Sequence, residues 1–167
     1  MKLQHKPIPK EFLERIPDGL KYVLRGGHDH LVVEQAFCPK GHSLMAPDVR
    51  LLGEPSIKLL LSIGNSSGIM FLDAYWGSHD KLYNFIPDIA SSSIVSASCP
   101  ICNTSLIVQH RACRACGETR HIEIRLPGGH NRLLACAKLG CVEHEMIAVD
   151  FHPEIIGQVS DINYFGV

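Results

Sequence analysis

Two Cys-x-x-Cys turns stand ten residues apart near the middle of the chain, Cys99-Pro100-Ile101-Cys102 and Cys113-Arg114-Ala115-Cys116. Such a turn sets two thiolates on one side of a tight loop with backbone N–H groups aimed at sulfur, and Gly117 supplies a left-handed residue that closes the second turn. Two turns facing each other make a four-thiolate cage. The gap between them fits a short hairpin through Ser105 to Gln109, returning at Arg111. The whole chain holds seven Cys and ten His in 167 residues. An odd cysteine count with no secretory signature argues against a disulfide framework and towards metal.

Over residues 99 to 117 the chain resembles the zinc-ribbon, or rubredoxin-like, knuckle family. The resemblance implies that Cys99, Cys102, Cys113 and Cys116 bind one ion; zinc is the metal expected and iron the alternative, since a sulfur cage alone does not choose between them. It implies no function, because such ribbons serve many kinds of protein. The first knuckle departs from the commoner pattern in having Asn103 where Gly is frequent, and Asn tolerates the positive φ this position needs.

A second constellation surrounds an internal echo. Leu24-Arg25-Gly26-Gly27-His28-Asp29-His30-Leu31 and Leu126-Pro127-Gly128-Gly129-His130-Asn131-Arg132-Leu133 share the pattern Leu-x-Gly-Gly-His-(Asp/Asn)-x-Leu. Each is followed by an apolar strand and then ligand-type residues, Cys38 and His42 after the first, Cys141 and His144 after the second. If the two copies are equivalent hairpins, each delivers a turn of ligands to a shared centre. Five residues compete for four places there. The expectation is a second zinc held by Cys38, His42, Cys136 and Cys141, with His144 as the substitute or supporting group. Two Zn2+ ions per chain are therefore expected, both structural.

His28, His30 and His130 form a candidate third centre, since His-x-His on a strand turns both rings to one face. Asp29 would then orient a ring. It is the one candidate for a catalytic metal, and carries the reading of a metal-dependent hydrolase or lyase. Around the ribbon, Arg111, Arg114, Arg120, Arg125 and Arg132 outnumber Glu118 and Glu123. They balance a thiolate-rich centre, or else Arg111, Arg114 and Arg120 contact nucleic acid. Base-stacking aromatics are missing between residues 99 and 132, which weakens that second reading. Tyr75 and Trp76, near His79 and Asp80, are candidates to line a pocket. No nucleotide-binding loop, Gly-x-Ser-x-Gly elbow or His-Glu-x-x-His helix is found.

Sixteen basic side chains against seventeen acidic leave a formal charge of −1, so no global field draws the chain to nucleic acid or an anionic membrane. The apolar content of 46% supports a packed core. Apolar runs such as Leu59-Leu60-Leu61 break too soon to cross a bilayer, and no apolar stretch follows the first charged residues, so a cytoplasmic protein is expected.

The fold class expected is mainly β and antiparallel, with a minor α contribution. Residues 1–19 read as an arm whose short helix carries Phe12, Leu13 and Ile16 on one face. Residues 20–95 and 120–167 read as one β-rich domain, and 96–119 as an inserted zinc ribbon. Candidate strands run over 20–24, 31–37, 49–52, 57–63 and 69–76, then 105–109, 121–126, 132–136, 145–149 and 155–159. Residues 80–85 read as a helical turn and Ser91-Ser92-Ser93 as a polar connector. The leading functional expectation is a non-enzymatic adaptor or accessory subunit with a protein partner and no membrane; the oligomeric state is left open.

Overall fold

A computed structural model describes residues 7–88 and 94–163; the connector at Ser91-Ser92-Ser93 lies outside them. Within them the protein is mostly antiparallel sheet, with two helices. The first helix, α1 (Lys10–Glu14), starts after Pro9 with Glu11 in its first turn, and buries Phe12. Its partner is Phe151, whose ring centre lies 4.9 Å from that of Phe12. The arm is thereby tied to the far end of the chain.

Three sheets follow. Strands β1 (Leu20–Arg25) and β2 (His28–Val33) form a hairpin that turns through Gly26-Gly27. The five-stranded sheet is built on the long strand β4 (Glu54–Ile63), which pairs with β5 (Ser66–Leu72) along one edge. Its other edge is shared between β3 (Met45–Leu51) at the start and β7 (Val95–Ser98) at the end. β6 (Lys81–Tyr83) completes the sheet on β5. The four-stranded sheet runs β11 (His144–Ile147), β10 (Arg132–Cys136), β9 (Arg120–Arg125), β8 (Ile107–Gln109). The segment 96–119 thus contributes most of β7 to one sheet and β8 to the other.

The five- and four-stranded sheets share one apolar core. Leu59, Leu61, Ile63 and Met70 from the first are buried in the same cluster as Ile122, Ile124, Leu133 and Met146 from the second. This alternation follows from side chains pointing to opposite faces along a strand. No helix among the described residues is long and apolar enough to cross a membrane.

Two local expectations are corrected. Residues 80–85 form no helical turn; Lys81–Tyr83 is strand, held by pairing with Met70–Leu72 and by the Asn84 side chain, which accepts from the Ile69 N–H at 2.7 Å. Residues 155–159 form no strand but lie in a second helix, α2 (Pro153–Ser160). Its start is set by His152, whose ring accepts from the Glu154 N–H at 3.2 Å, and by Pro153, whose fixed φ suits a first turn. The β-branched residues that suggest a strand instead supply a helix face, with Val159 fully buried. The turn between β3 and β4, which the sequence suggests at Gly53-Glu54-Pro55, falls at Leu52-Gly53, with Leu52 at φ 54°.

Candidate metal centres

The two Cys-x-x-Cys turns have the same backbone. The N–H of Asn103 donates to the Cys99 carbonyl and that of Gly117 to the Cys113 carbonyl, both at 2.9 Å. The Cys99 N–H reaches the Thr104 carbonyl at 2.9 Å, and the Cys113 N–H reaches the Glu118 carbonyl at 2.8 Å. Such a turn needs a left-handed residue after its second cysteine, and Asn103 (φ 59°) meets that need as Gly117 (φ 79°) does.

The remaining ligand turns lie where the echoed hairpins end. β1–β2 leads to Cys38, with Gly41 at φ 85° before His42; β9–β10 leads to Cys136, with Gly140 at φ 83° before Cys141. Both echo copies are antiparallel hairpins, and each hands its following turn to a different Cys-x-x-Cys.

The result is two clusters of four. Cys38, His42, Cys99 and Cys102 form the first, and Cys113, Cys116, Cys136 and Cys141 the second, with all ligand atoms of a cluster within 4.8 Å of one another. In the first, Cys38 Sγ lies 3.5 Å from His42 Nδ1 and 3.9 Å from Cys102 Sγ. In the second, Cys113 and Cys141 sulfurs are 3.6 Å apart, and those of Cys116 and Cys136 3.4 Å. A tetrahedron with metal–sulfur bonds of about 2.3 Å has edges of about 3.8 Å, so these are the spacings of ligands around one ion. They are far too long for disulfides, and all seven cysteines are free.

The expected grouping is therefore corrected. Cys99 and Cys102 do not face Cys113 and Cys116, and Cys38 and His42 do not join Cys136 and Cys141. The physical reason is the path of residues 103–112. Ile107–Gln109 pairs with β9 and Leu106 bonds to Ala97, so the segment does not fold back on itself as an isolated hairpin. The knuckles are drawn to different ends of the β-structure, where a hairpin-borne pair meets each. The echo was the signal for this arrangement, because two hairpins and two Cys-x-x-Cys turns divide naturally into one of each per ion.

The thiols are prepared unequally. Burial pushes Cys99 and Cys136 up, as it does any thiolate removed from water. Burial also opposes ionisation of Cys38, but the backbone at His42 and Lys40 outweighs it and the net shift is down. The Lys40 N–H points at Cys38 Sγ from 3.3 Å. Cys102 is pulled down to about 6, first by the Thr104 hydroxyl and then by its backbone N–H.

Other candidates go elsewhere. Among the described residues His28, His30 and His130 do not come together as a ligand group. His30 packs edge-on against Tyr75, and Asp29 accepts from the Tyr22 hydroxyl at 2.5 Å instead of orienting a ring. His144 is not a ligand, because its Nδ1 and Nε2 face the Val142 and Ile162 carbonyls at 3.0 and 2.5 Å. Arg111 pairs with Glu145, Arg114 with Glu143 and Asp161, and Arg120 with Glu118. Tyr75 and Trp76, by contrast, do line a pocket, an apolar cleft that His79 lines too, and Trp76 Nε1 donates to the Val159 carbonyl at 2.7 Å.

A polar cavity of about 410 Å³ that sequence reasoning missed lies between the second cluster and α2, lined by His110, His121, Glu145 and Asp161 among others. Its charged groups are satisfied by the chain itself, for example His110 Nε2 against Glu145 at 3.0 Å.

Fold and sites together define an antiparallel β protein with two sulfur-rich, four-ligand groups, each able to hold a metal ion. No protein family matches the chain, and no curated protein and no solved structure matches it significantly.

Proposed function

We propose that the chain is a zinc protein whose two ions are structural, and that it works as a non-enzymatic adaptor or accessory subunit. The carrying observation is that each cluster brings together four protein ligands, the full number a tetrahedral ion takes. Closed tetrahedral sets of Cys and His are characteristic of structural zinc, whereas catalytic zinc keeps one position open. The nitrogen ligand in the first cluster favours zinc over iron there, and the paired turns make the same ion the natural choice for the second.

The adaptor part rests on surface chemistry. Ile101, at the tip of the first knuckle, is 65% exposed, and Leu24 in the first hairpin 64%. A protein partner covers such side chains, while the arginines suited to nucleic acid are already paired with carboxylates.

Elemental analysis of purified protein tests the first part: two zinc ions per chain are expected, and one ion, none, or iron overturns it. Native gel analysis of its own cell extract tests the second, with migration in a larger assembly expected and migration as the free chain overturning it.

A further inference from the structure

Between the five- and four-stranded sheets runs a narrow cleft of about 130 Å³. Its walls are apolar, with Leu61 and Met70 from one sheet facing Ile122 and Leu133 from the other. Protein interiors are normally packed to the density of organic crystals, and walls left without neighbours forfeit dispersion contacts. An apolar cavity of about 150 Å³ takes a benzene ring, so this space suits a single ring or a short branched chain.

Lys81 and Lys138 also line the cleft. Among the described residues neither ammonium is in an ion pair with a carboxylate. The two carboxylates that line the cleft are already engaged. Asp73 accepts from the Tyr75 N–H at 3.0 Å and the Ser78 hydroxyl at 2.7 Å, and Glu143 pairs with Arg114 at 3.0 Å. The cleft thus offers an anion two uncommitted cations beside an apolar body-sized slot.

We propose that this cleft is a binding site for a small apolar carboxylic acid, aromatic or branched, with its carboxylate at Lys81 and Lys138 and its hydrocarbon part between the sheets. The cleft borders the second metal cluster, since Cys136 and Cys141 also line it; burial lowers the pKa of Lys81, and Cys141 acts electrostatically against that shift. Lys81 therefore has a competing role as counter-charge to the second cluster, which the experiment separates.

Trp76 is the single tryptophan and lines the cleft, so its fluorescence reports occupancy. The metal-loaded full chain is titrated with benzoate and, in parallel, with toluene, and metal content is measured for every variant. Saturable benzoate binding, toluene binding at least about tenfold weaker, and a loss of about tenfold or more in both Lys81→Met and Lys138→Met with both ions retained are expected, the size of one lost charge-assisted contact. No saturable change at millimolar benzoate overturns the proposal. Toluene binding as tight as benzoate overturns the role of the lysines. If Lys81→Met loses the second ion, Lys138→Met decides, and unchanged benzoate affinity there overturns the proposal.

Discussion

Among the described residues, Leu52 and Asn103 carry left-handed backbone without being glycine, and they differ in how well they tolerate it. Asn103 at φ 59° sits in a knuckle turn, and its short polar side chain suits that conformation. Asn103→Ala is expected to cost about 1 kcal/mol and Asn103→Gly to be neutral or stabilising, read from urea midpoints at fixed zinc. Leu52 at φ 54° has no such excuse, standing in a two-residue hairpin turn where Asn before Gly is the favoured pair. Leu52→Asn is expected to stabilise by about 1 kcal/mol in the same assay. At the ligands, Cys99→Ser should leave one zinc ion per chain instead of two, while His42→Cys should keep both; a cobalt-substituted spectrum then shows two all-thiolate sites.

Elements show what was legible in the sequence. The knuckles could be read because their spacing is local, so Cys99, Cys102, Cys113 and Cys116 stand out without any knowledge of tertiary structure. The grouping could not be read the same way, since it depends on β8 pairing with β9 and β7 with β4, contacts made across long separations. The strand at Ile57–Ile63 was plain from its β-branched and apolar run, whereas α2 was hidden behind Ile155, Ile156 and Val159, residues that serve either a strand or a helix face. Pro153 and Glu154, in the first turn of α2, are the local features that favour a helix start there. The glycines of the hairpin-borne turns yield a prediction of their own. Gly41→Val places a β-branched residue at φ 85° and should weaken zinc retention at the first centre only, while Gly140→Val at φ 83° should do so at the second only. Release rates measured against a competing chelator check both.

For the whole molecule, metal and fold are expected to be one equilibrium. The first cluster ties the stretch after β2 to the end of β7, and the second ties the second knuckle to the end of β10. Metal-binding energy becomes folding energy when the site is absent from the unfolded chain. Complete chelation is therefore expected to abolish the cooperative unfolding transition, and a chelated chain with native dispersion of its amide signals would contradict this. Acid acts at a separate point. Burial pulls the His79 imidazole below its ordinary value, more strongly than its hydrogen bond to Asn163 raises it. The neutral ring is thus the folded form, so stability is full above the unfolded value near 6.5 and is lost as pH falls below it. His79→Gln should flatten that loss, measured by denaturation at two pH values with both ions verified as bound.

The spacing of the ligands along the chain has a consequence for assembly. Cys99 follows His42 by 57 positions, whereas Cys136 follows Cys116 by 20. Closing the longer loop costs about 1 kcal/mol more in chain entropy. A complete chain refolding with less than one equivalent of zinc should therefore fill its all-cysteine centre first, so that maturation runs from the carboxyl-terminal half back towards the amino-terminal one.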